Sequence, residues 1–254
     1  MKNIHYKSRQ ICSFYSNERQ AWKDFYPSEK WVFERICSSG RGMGHILDVG
    51  CACGGLAKAL NQKFRISSYT GVDVNCGSIE WAKDNIRLPF STDFIEEDIV
   101  KTKINRKFDT VISLGCADWN IETRKIVRHA WERVSCGGYL VISLRITPKK
   151  GINDMKKSFQ YINFNKKEKD PEIANYVVLN FEEALKMFDS LSFCPESIGA
   201  YGYWGKPSSM AVTPFKKVIF SVFYLKKGGK NTKTVRTEFF LPADLYLWNS
   251  NTRP

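Results

Sequence analysis

His45-Ile-Leu-Asp-Val-Gly-Cys-Ala-Cys-Gly-Gly-Leu56 is the stretch that decides the fold. A short apolar run, His45 to Val49, carries one acid and ends in a series of small residues. It passes into Leu56-Ala-Lys-Ala-Leu60, which has helical apolar spacing. The pattern reads as a buried strand, a tight loop and a helix start. Small residues let a ligand approach the backbone, and a helix N-terminus offers free N–H groups. Asp48, at the strand end, suits a ligand with positive charge or hydroxyl donors.

Working outward, the chain alternates. Strands are expected at 45–49, 68–74, 93–97, 108–114 and 139–145. Helices are expected at 55–63, 78–86 and 122–134, the last ended by the glycine stop Cys136-Gly-Gly138. Such alternation predicts an α/β fold, a mostly parallel sheet with right-handed crossovers and helices on both faces. Before it, residues 1–42 are rich in aromatics and charge and read as a helical cap. One helix is expected from Ser16 to Phe25, broken by Pro27, and another is N-capped by Ser28. After Arg145 the chain turns polar and Lys-rich, so 146–175 reads as an insertion in a core spanning 43–226. A helix at 180–188 and strands at 196–203 and 218–225 complete that core. Residues 227–254 form an extension, with Phe239–Trp248 apolar enough to pack back on the body.

The 254 residues carry 39 Lys plus Arg against 26 Asp plus Glu, a formal charge of +13. This balance favours anionic partners: nucleic acid, phosphorylated metabolites, nucleotide sugars, acidic glycans or a membrane surface. None of the eight cysteines forms a C-x-x-C pair, and His5, His45 and His129 are isolated, so no metal site is expected. Scattered thiols without a signal-like apolar start point to a reducing cytoplasm. The longest apolar runs, 139–144 and 218–225, are too short to span a bilayer.

In an open parallel sheet the ligand lies beyond the carboxyl ends of the strands. Four segments end there: the loop 48–55; Asp73, 19 residues after Gly54; Asp98-Ile99; and Ser113-Leu-Gly-Cys-Ala-Asp118-Trp119-Asn120. An acid about 20 residues past the loop is placed for ribose hydroxyls. Asp98 suits an exocyclic amine, and Ile99 a purine face. Each has a plainer reading. Asp48 caps a turn, Asp73 and Asp98 are solvated, Asp118 and Asn120 cap a helix, and Trp119 is core. The ordered arrival of acids at three successive strand ends weighs against those readings taken together.

Asp48-Val-Gly-Cys-Ala-Cys-Gly54 resembles the first motif, acid-x-Gly-x-Gly-x-Gly, of class I S-adenosylmethionine-dependent methyltransferases. Gly71-Val-Asp-Val74, Glu97-Asp-Ile99, Phe108 to Trp119 and Gly137 to Ser143 resemble the motifs that follow. Residues 196–225 resemble the family's reversed final strand, and Ala52 departs from the pattern by replacing the middle glycine. The resemblance implies a Rossmann-like seven-stranded sheet and S-adenosyl-L-methionine as cofactor, with S-adenosyl-L-homocysteine as product. It places Gly50, Ala52 and Gly54 against the methionine and ribose, with Asp48 in the same loop. Asp73 and Val74 fall at the ribose, Asp98 and Ile99 at the adenine, and Ser113 to Gly115 near the methionine amino end. Asp118 is the first candidate for a proton-accepting base, with His5 second. A dinucleotide fingerprint, Gly50-x-Ala52-x-x-Gly55, is the competing reading, but a Tyr-x-x-x-Lys pair occurs only at Tyr26–Lys30, on the wrong side of the loop.

The acceptor is read from the segments around the loop. Tyr26, Trp119, Arg145, Tyr201, Tyr203, Trp204 and Lys206 combine aromatic and basic groups that suit a sugar, nucleotide sugar or phosphorylated metabolite. No Asn-Pro-Pro-Tyr or Pro-Cys sequence follows strand four, which disfavours base methylation. The C-terminal half loosely resembles small methyltransferases of bacterial surface-polysaccharide synthesis. The expected reaction is O-methylation of a small anionic or glycan-related acceptor. RNA methylation is the alternative, and a cofactor-binding protein without turnover a third reading.

Overall fold

The computed structural model describes residues 9–162, 172–229 and 234–247. Its main sheet has the strand order β12-β9-β11-β5-β4-β1-β2-β3. Its first five strands, β1 (Gly44–Val49), β2 (Ile66–Asp73), β3 (Ser91–Glu96), β4 (Phe108–Ser113) and β5 (Val134–Thr147), are all parallel, with β3 at the edge. The sheet continues with β9 (Pro195–Gly205), β11 (Val218–Lys227) and β12 (Arg236–Phe240). β11 runs antiparallel to both β5 and β9, which is the expected reversed strand. β12 adds a parallel edge strand beside β9, so the extension contributes an eighth strand in that order, and the short β8 (Leu179–Asn180) pairs with the end of β5.

Strands buried on both faces need apolar side chains in both directions. In β1, Leu47 and Val49 join the core beneath α5 (Thr123–Glu132) and α6 (Phe181–Asp189), while Ile46 joins the opposite core. That second core is covered by α2 (Pro27–Ile36), α3 (Gly55–Asn61) and α4 (Cys76–Asn85). α5 buries Ile126, Val127, Ala130 and Trp131 as one stripe, the spacing of a helix with a single apolar face.

Several local expectations change. The first helix, α1, is Arg9–Asn17 rather than 16–25. It cannot continue through Arg19, whose backbone is left-handed (φ 57°), and only a short 3-10 turn, Trp22–Asp24, follows. Pro27 opens α2 instead of breaking a helix, because a first-turn residue needs no N–H partner. The cap is Tyr26, not Ser28, and the Tyr26 N–H donates to Glu29 Oε2 at 2.8 Å. Cys136-Gly-Gly138 is not a helix stop. It lies inside β5, where the pairing with β4 shifts register between Phe108 and Thr110 and Gly137 takes φ 75°.

The insertion is structured in part. β6 (Phe159–Tyr161) pairs with both β7 (Ile173–Asn175) and β10 (Ala211–Val212), the latter from the segment after β9, in a three-stranded antiparallel sheet. The last described element is α7 (Asp244–Leu247), whose Leu245 is buried. Among the described residues no helix is long and apolar enough to cross a membrane.

Candidate functional site

The strand order reverses between β1 and β4, and the loops that leave their carboxyl ends flank the crevice there. The loop after β1 turns through three left-handed residues: Gly50 (φ 80°), Ala52 (φ 46°) and Gly54 (φ 73°). At Gly50 an added Cβ would lie 2.7 Å from Cys116 Sγ, and at Gly54 it would lie 2.8 Å from the Phe94 ring, so neither position admits a side chain. Ala52, the departure from the glycine pattern, takes the backbone conformation that glycine usually occupies. Its N–H is fixed by donation to Asp73 Oδ2 at 2.9 Å.

Asp73 ties the loop to the next strand. Its Oδ1 accepts from the Asn75 N–H at 2.8 Å, and the Val74 N–H also favours the charged form. Burial still raises its pKa above the ordinary carboxylate range. A carboxylate has about four acceptor positions, so Asp73 retains capacity for hydroxyl donors. Asn75 Oδ1 in turn caps α4 by accepting from the Ser78 N–H at 2.8 Å. Asp48 lies deeper, 3% exposed, and accepts a hydrogen bond from the Tyr69 hydroxyl. Burial lifts its pKa to about 7, with the nearby Asp73 charge acting the same way.

Across the crevice, Ser113 is fully buried and its Oγ has no hydrogen-bond partner. The Gly115 N–H donates to Ser143 Oγ at 2.7 Å, which holds the loop after β4 against β5. Asp118 and Arg145 form a buried pair, with Arg145 Nε 3.4 Å from Asp118 Oδ2 and Arg145 Nη1 donating to the Asp118 carbonyl at 2.9 Å. The guanidinium lies 4.0 Å from the Trp119 ring centre and 3.8 Å from that of Tyr176. Burial raises the Asp118 pKa and Arg145 opposes it. Asp118 Oδ1 and the Tyr176 hydroxyl are both buried without a partner.

The structure therefore brings Asp48, Gly50, Ala52, Gly54, Asp73, Val74, Ser113 and Gly115 together at the carboxyl ends of β1, β2 and β4, with Asp118, Trp119 and Arg145 on the loop and strand beyond. Ile99 is 4% exposed and packs in the core beneath α5. Asp98 Oδ1 accepts from the Val100 N–H at 2.9 Å, closing its own turn. His5 lies outside the described residues. The aromatic group at 201–204 is divided because it forms a strand, where successive side chains face opposite ways. Tyr201 packs on Trp31 of α2 at 5.7 Å, and Tyr203 stands near Tyr26 and Glu29. Trp204 faces away from both: its Nε1 donates to Asp244 at 2.9 Å, and Lys217 Nζ sits 4.1 Å from its ring. Lys206 is exposed just past the strand end.

Two features escaped sequence reasoning. Arg19 donates to Glu29 Oε1 at 2.7 Å and lies over the Phe25 and Tyr26 rings at 4.3 and 5.2 Å, close enough to Asp48 to favour its charge. The interruption of helical spacing at Arg19-Gln20 was its available signal. Tyr176 follows the insertion and had no local pattern to mark it. Among the described residues no group of three or more His, Cys, Asp or Glu is placed to hold a metal.

Residues 46–138, from the first strand to the bulge in β5, match the methyltransferase domain family. Fold and matched segment agree: residues 46–138 carry a methyltransferase domain on a Rossmann-like parallel sheet, the architecture of class I S-adenosylmethionine-dependent methyltransferases. Malonyl-acyl-carrier-protein O-methyltransferase of Acetivibrio thermocellus is 32% identical over 98 residues, which cover 39% of this chain and 34% of that protein. The chain thus spans about a third of the length of this curated relative. A solved S-adenosylmethionine-dependent methyltransferase from Clostridium acetobutylicum superimposes with a TM-score of 0.54 at 15% identity, covering 80% of this chain and 93% of that one. The (4+2)-cyclase SpnF superimposes with a TM-score of 0.53 at 15% identity, covering 78% and 81%. At such identities the likeness is one of fold.

Proposed function

We propose that this protein is an S-adenosylmethionine-dependent methyltransferase that O-methylates a small anionic or glycan-related acceptor, with a role in capsule or other surface-polysaccharide synthesis in the cytoplasm. The carrying observation is Asp73, held by the N–H groups of Ala52 and Asn75 opposite a loop with three left-handed residues. Its remaining acceptor capacity fits a ribose hydroxyl. Asp48 and the unpartnered Ser113 Oγ fit the cationic and amino groups of the same cofactor. When bound, S-adenosylmethionine supplies a methyl group already activated on a sulfonium. The residues' part is then to align the acceptor, exclude water and take up a proton. Asp118 Oδ1, buried and unpartnered, is the proposed proton acceptor, with Arg145 holding the other oxygen. Tyr26, 57% exposed, and Tyr203 offer ring faces to a sugar.

The curated relative favours a second reading, in which the acceptor is a carboxylate carried on an acyl-carrier protein. The family match ends at residue 138, before β6, β7 and β10, so it bears on the cofactor half and leaves the acceptor open. Calorimetry with S-adenosylmethionine and S-adenosylhomocysteine tests the cofactor, and no heat with either overturns the proposal. Release of S-adenosylhomocysteine with nucleotide sugars, malonyl carrier protein and RNA then separates the acceptor classes. Turnover with none of them, despite cofactor binding, favours a protein that keeps the fold without the reaction. Asp118→Asn should lower turnover roughly 100-fold or more, within the range of general acid–base contributions, and leave cofactor affinity unchanged. Equal turnover removes Asp118 as the base.

A further inference from the structure

The loop that turns over Asp73 is touched from above by α1. Cys12, on that helix, has its Sγ 3.8 Å from Cys53 Sγ in the loop, and Cys53 Sγ lies 3.5 Å from the Cys12 carbonyl oxygen. Cys12 Sγ also meets the Gly77 carbonyl of α4 at 3.4 Å. Both thiols are free. A disulfide needs the sulfurs about 2.05 Å apart, so the pair, already in contact at 3.8 Å, must draw closer to bond. The partners differ in access: Cys53 is fully buried, and Cys12 is partly exposed. The strap has a second point of contact, because a Cβ at Gly55 would lie 2.5 Å from the Arg19 carbonyl oxygen. Between the two, Tyr15 stands close enough to Asp73 to feel its charge. α1 and the residues after it thus lie against the loop beside Asp73.

We propose that Cys12 and Cys53 form a disulfide modification site that latches α1 onto the cofactor loop, the oxidant being a low-molecular-weight disulfide of the glutathione class. The Cys12 thiolate attacks one sulfur of the oxidant; its S–S bond breaks and one thiol departs. Cys53, deprotonated, attacks the Cys12 sulfur of the mixed disulfide, forming the Cys12–Cys53 bond and releasing the second thiol. Two protein thiols are oxidised and one disulfide is reduced to two thiols, so electrons and protons balance. The covalent step stands on the geometry alone. Its consequence for ligand exchange rests on the cofactor reading of Asp73.

The experiment uses the full chain, reduced and then equilibrated in glutathione buffers of rising disulfide fraction. Intact mass should fall by two hydrogens, and peptide mapping should join Cys12 to Cys53. Cys12→Ser, and separately Cys53→Ala, should abolish that crosslink. S-adenosylhomocysteine binding, followed by intrinsic tryptophan fluorescence in stopped flow, should associate and dissociate at least tenfold more slowly in the crosslinked protein. Reduced protein and oxidised Cys12→Ser should exchange at the same fast rate. A map without the 12–53 crosslink, or with glutathione retained on Cys12, overturns the site. A crosslinked protein that exchanges as fast as the reduced one overturns the latch. Reduced protein that shows no binding overturns the cofactor reading instead, and the mass result still decides the disulfide.

Discussion

The two sides of the crevice are built by different means. On the β1–β2 side, polar groups are fastened to main chain: Asp73 to the N–H groups of Ala52 and Asn75, and Asn75 to that of Ser78. On the β4–β5 side, side chains mostly hold one another: Asp118 pairs with Arg145, which lies between Trp119 and Tyr176. Main-chain donors are present whatever the neighbouring side chains are, so a short local motif suffices to build the first side. The second needs four side chains from three separated segments, and removal of one leaves the others exposed to the cost of burial. Loss of a partner should therefore damage the second side more than the first.

Arg145 gives that contrast its largest expected effect. Its side chain is 4% exposed and that of Asp118 is 6% exposed. Breaking a buried pair by deleting one member strands the other charge, at about 3–5 kcal/mol. Arg145→Met should lower urea-unfolding stability by that order, and Asp118→Leu combined with Arg145→Met should recover most of it. A loss below about 1 kcal/mol for Arg145→Met would place the pair with exposed ones and erase the distinction. Asp73→Ala comes next. It removes the acceptor proposed for the ribose and releases the N–H groups of Ala52, Val74 and Asn75, which water can satisfy. Cofactor affinity should fall 10- to 100-fold by calorimetry, about 1.4–2.7 kcal/mol, with a smaller loss of stability than Arg145→Met. Unchanged affinity removes Asp73 from the site.

Asp48 tests the same side through pH. Its pKa is lifted by burial to about 7 from an ordinary value of 3.8, so the fold favours the neutral carboxyl. Folding stability without ligand should decline as pH rises from about 4 and level off above about 7. A cationic ligand near Asp48 favours the ionised form, so cofactor affinity should rise up to roughly tenfold between pH 6 and 8. Asp48→Asn should flatten that rise. A flat profile in the unmutated protein separates Asp48 from the cationic part of the ligand.

This difference in construction also explains what the sequence made legible. The loop 48–54, Asp73 and the alternation of strands and helices follow from local spacing, since glycine-type turns and apolar periodicity are encoded within a few residues. β11 as a strand follows from its apolar run, and its reversal from the family resemblance. The network around Arg145 is assembled by tertiary packing, and Tyr176 reaches it from beyond the insertion, so no window of sequence contains it. The expected strand at 196–203 already held Tyr203, but pairing with β11 carries it on through Gly205 and sends Trp204 to the opposite face. Strain at Arg19 ended α1 early, where apolar spacing alone places a helix farther along.

Ala52 carries the smallest effect and the sharpest test of the loop. An L-residue in the left-handed region costs roughly 1–2 kcal/mol, and the native φ of 46° places Ala52 there. Glycine removes that cost, but it enlarges the freedom of the unfolded chain, which offsets about 0.4–1 kcal/mol. Ala52→Gly should therefore stabilise the protein by no more than about 1 kcal/mol, a rise in Tm of roughly 2–4 °C for a chain of this size. The N–H that donates to Asp73 is kept in glycine, so cofactor affinity should stay within about twofold of the starting value, under 0.5 kcal/mol. A fall in Tm would mean that the Ala52 methyl contributes packing greater than the strain it imposes. A large loss of affinity with Tm unchanged would mean that the methyl itself fixes the loop in its binding shape, and the departure from glycine would then be a feature of recognition.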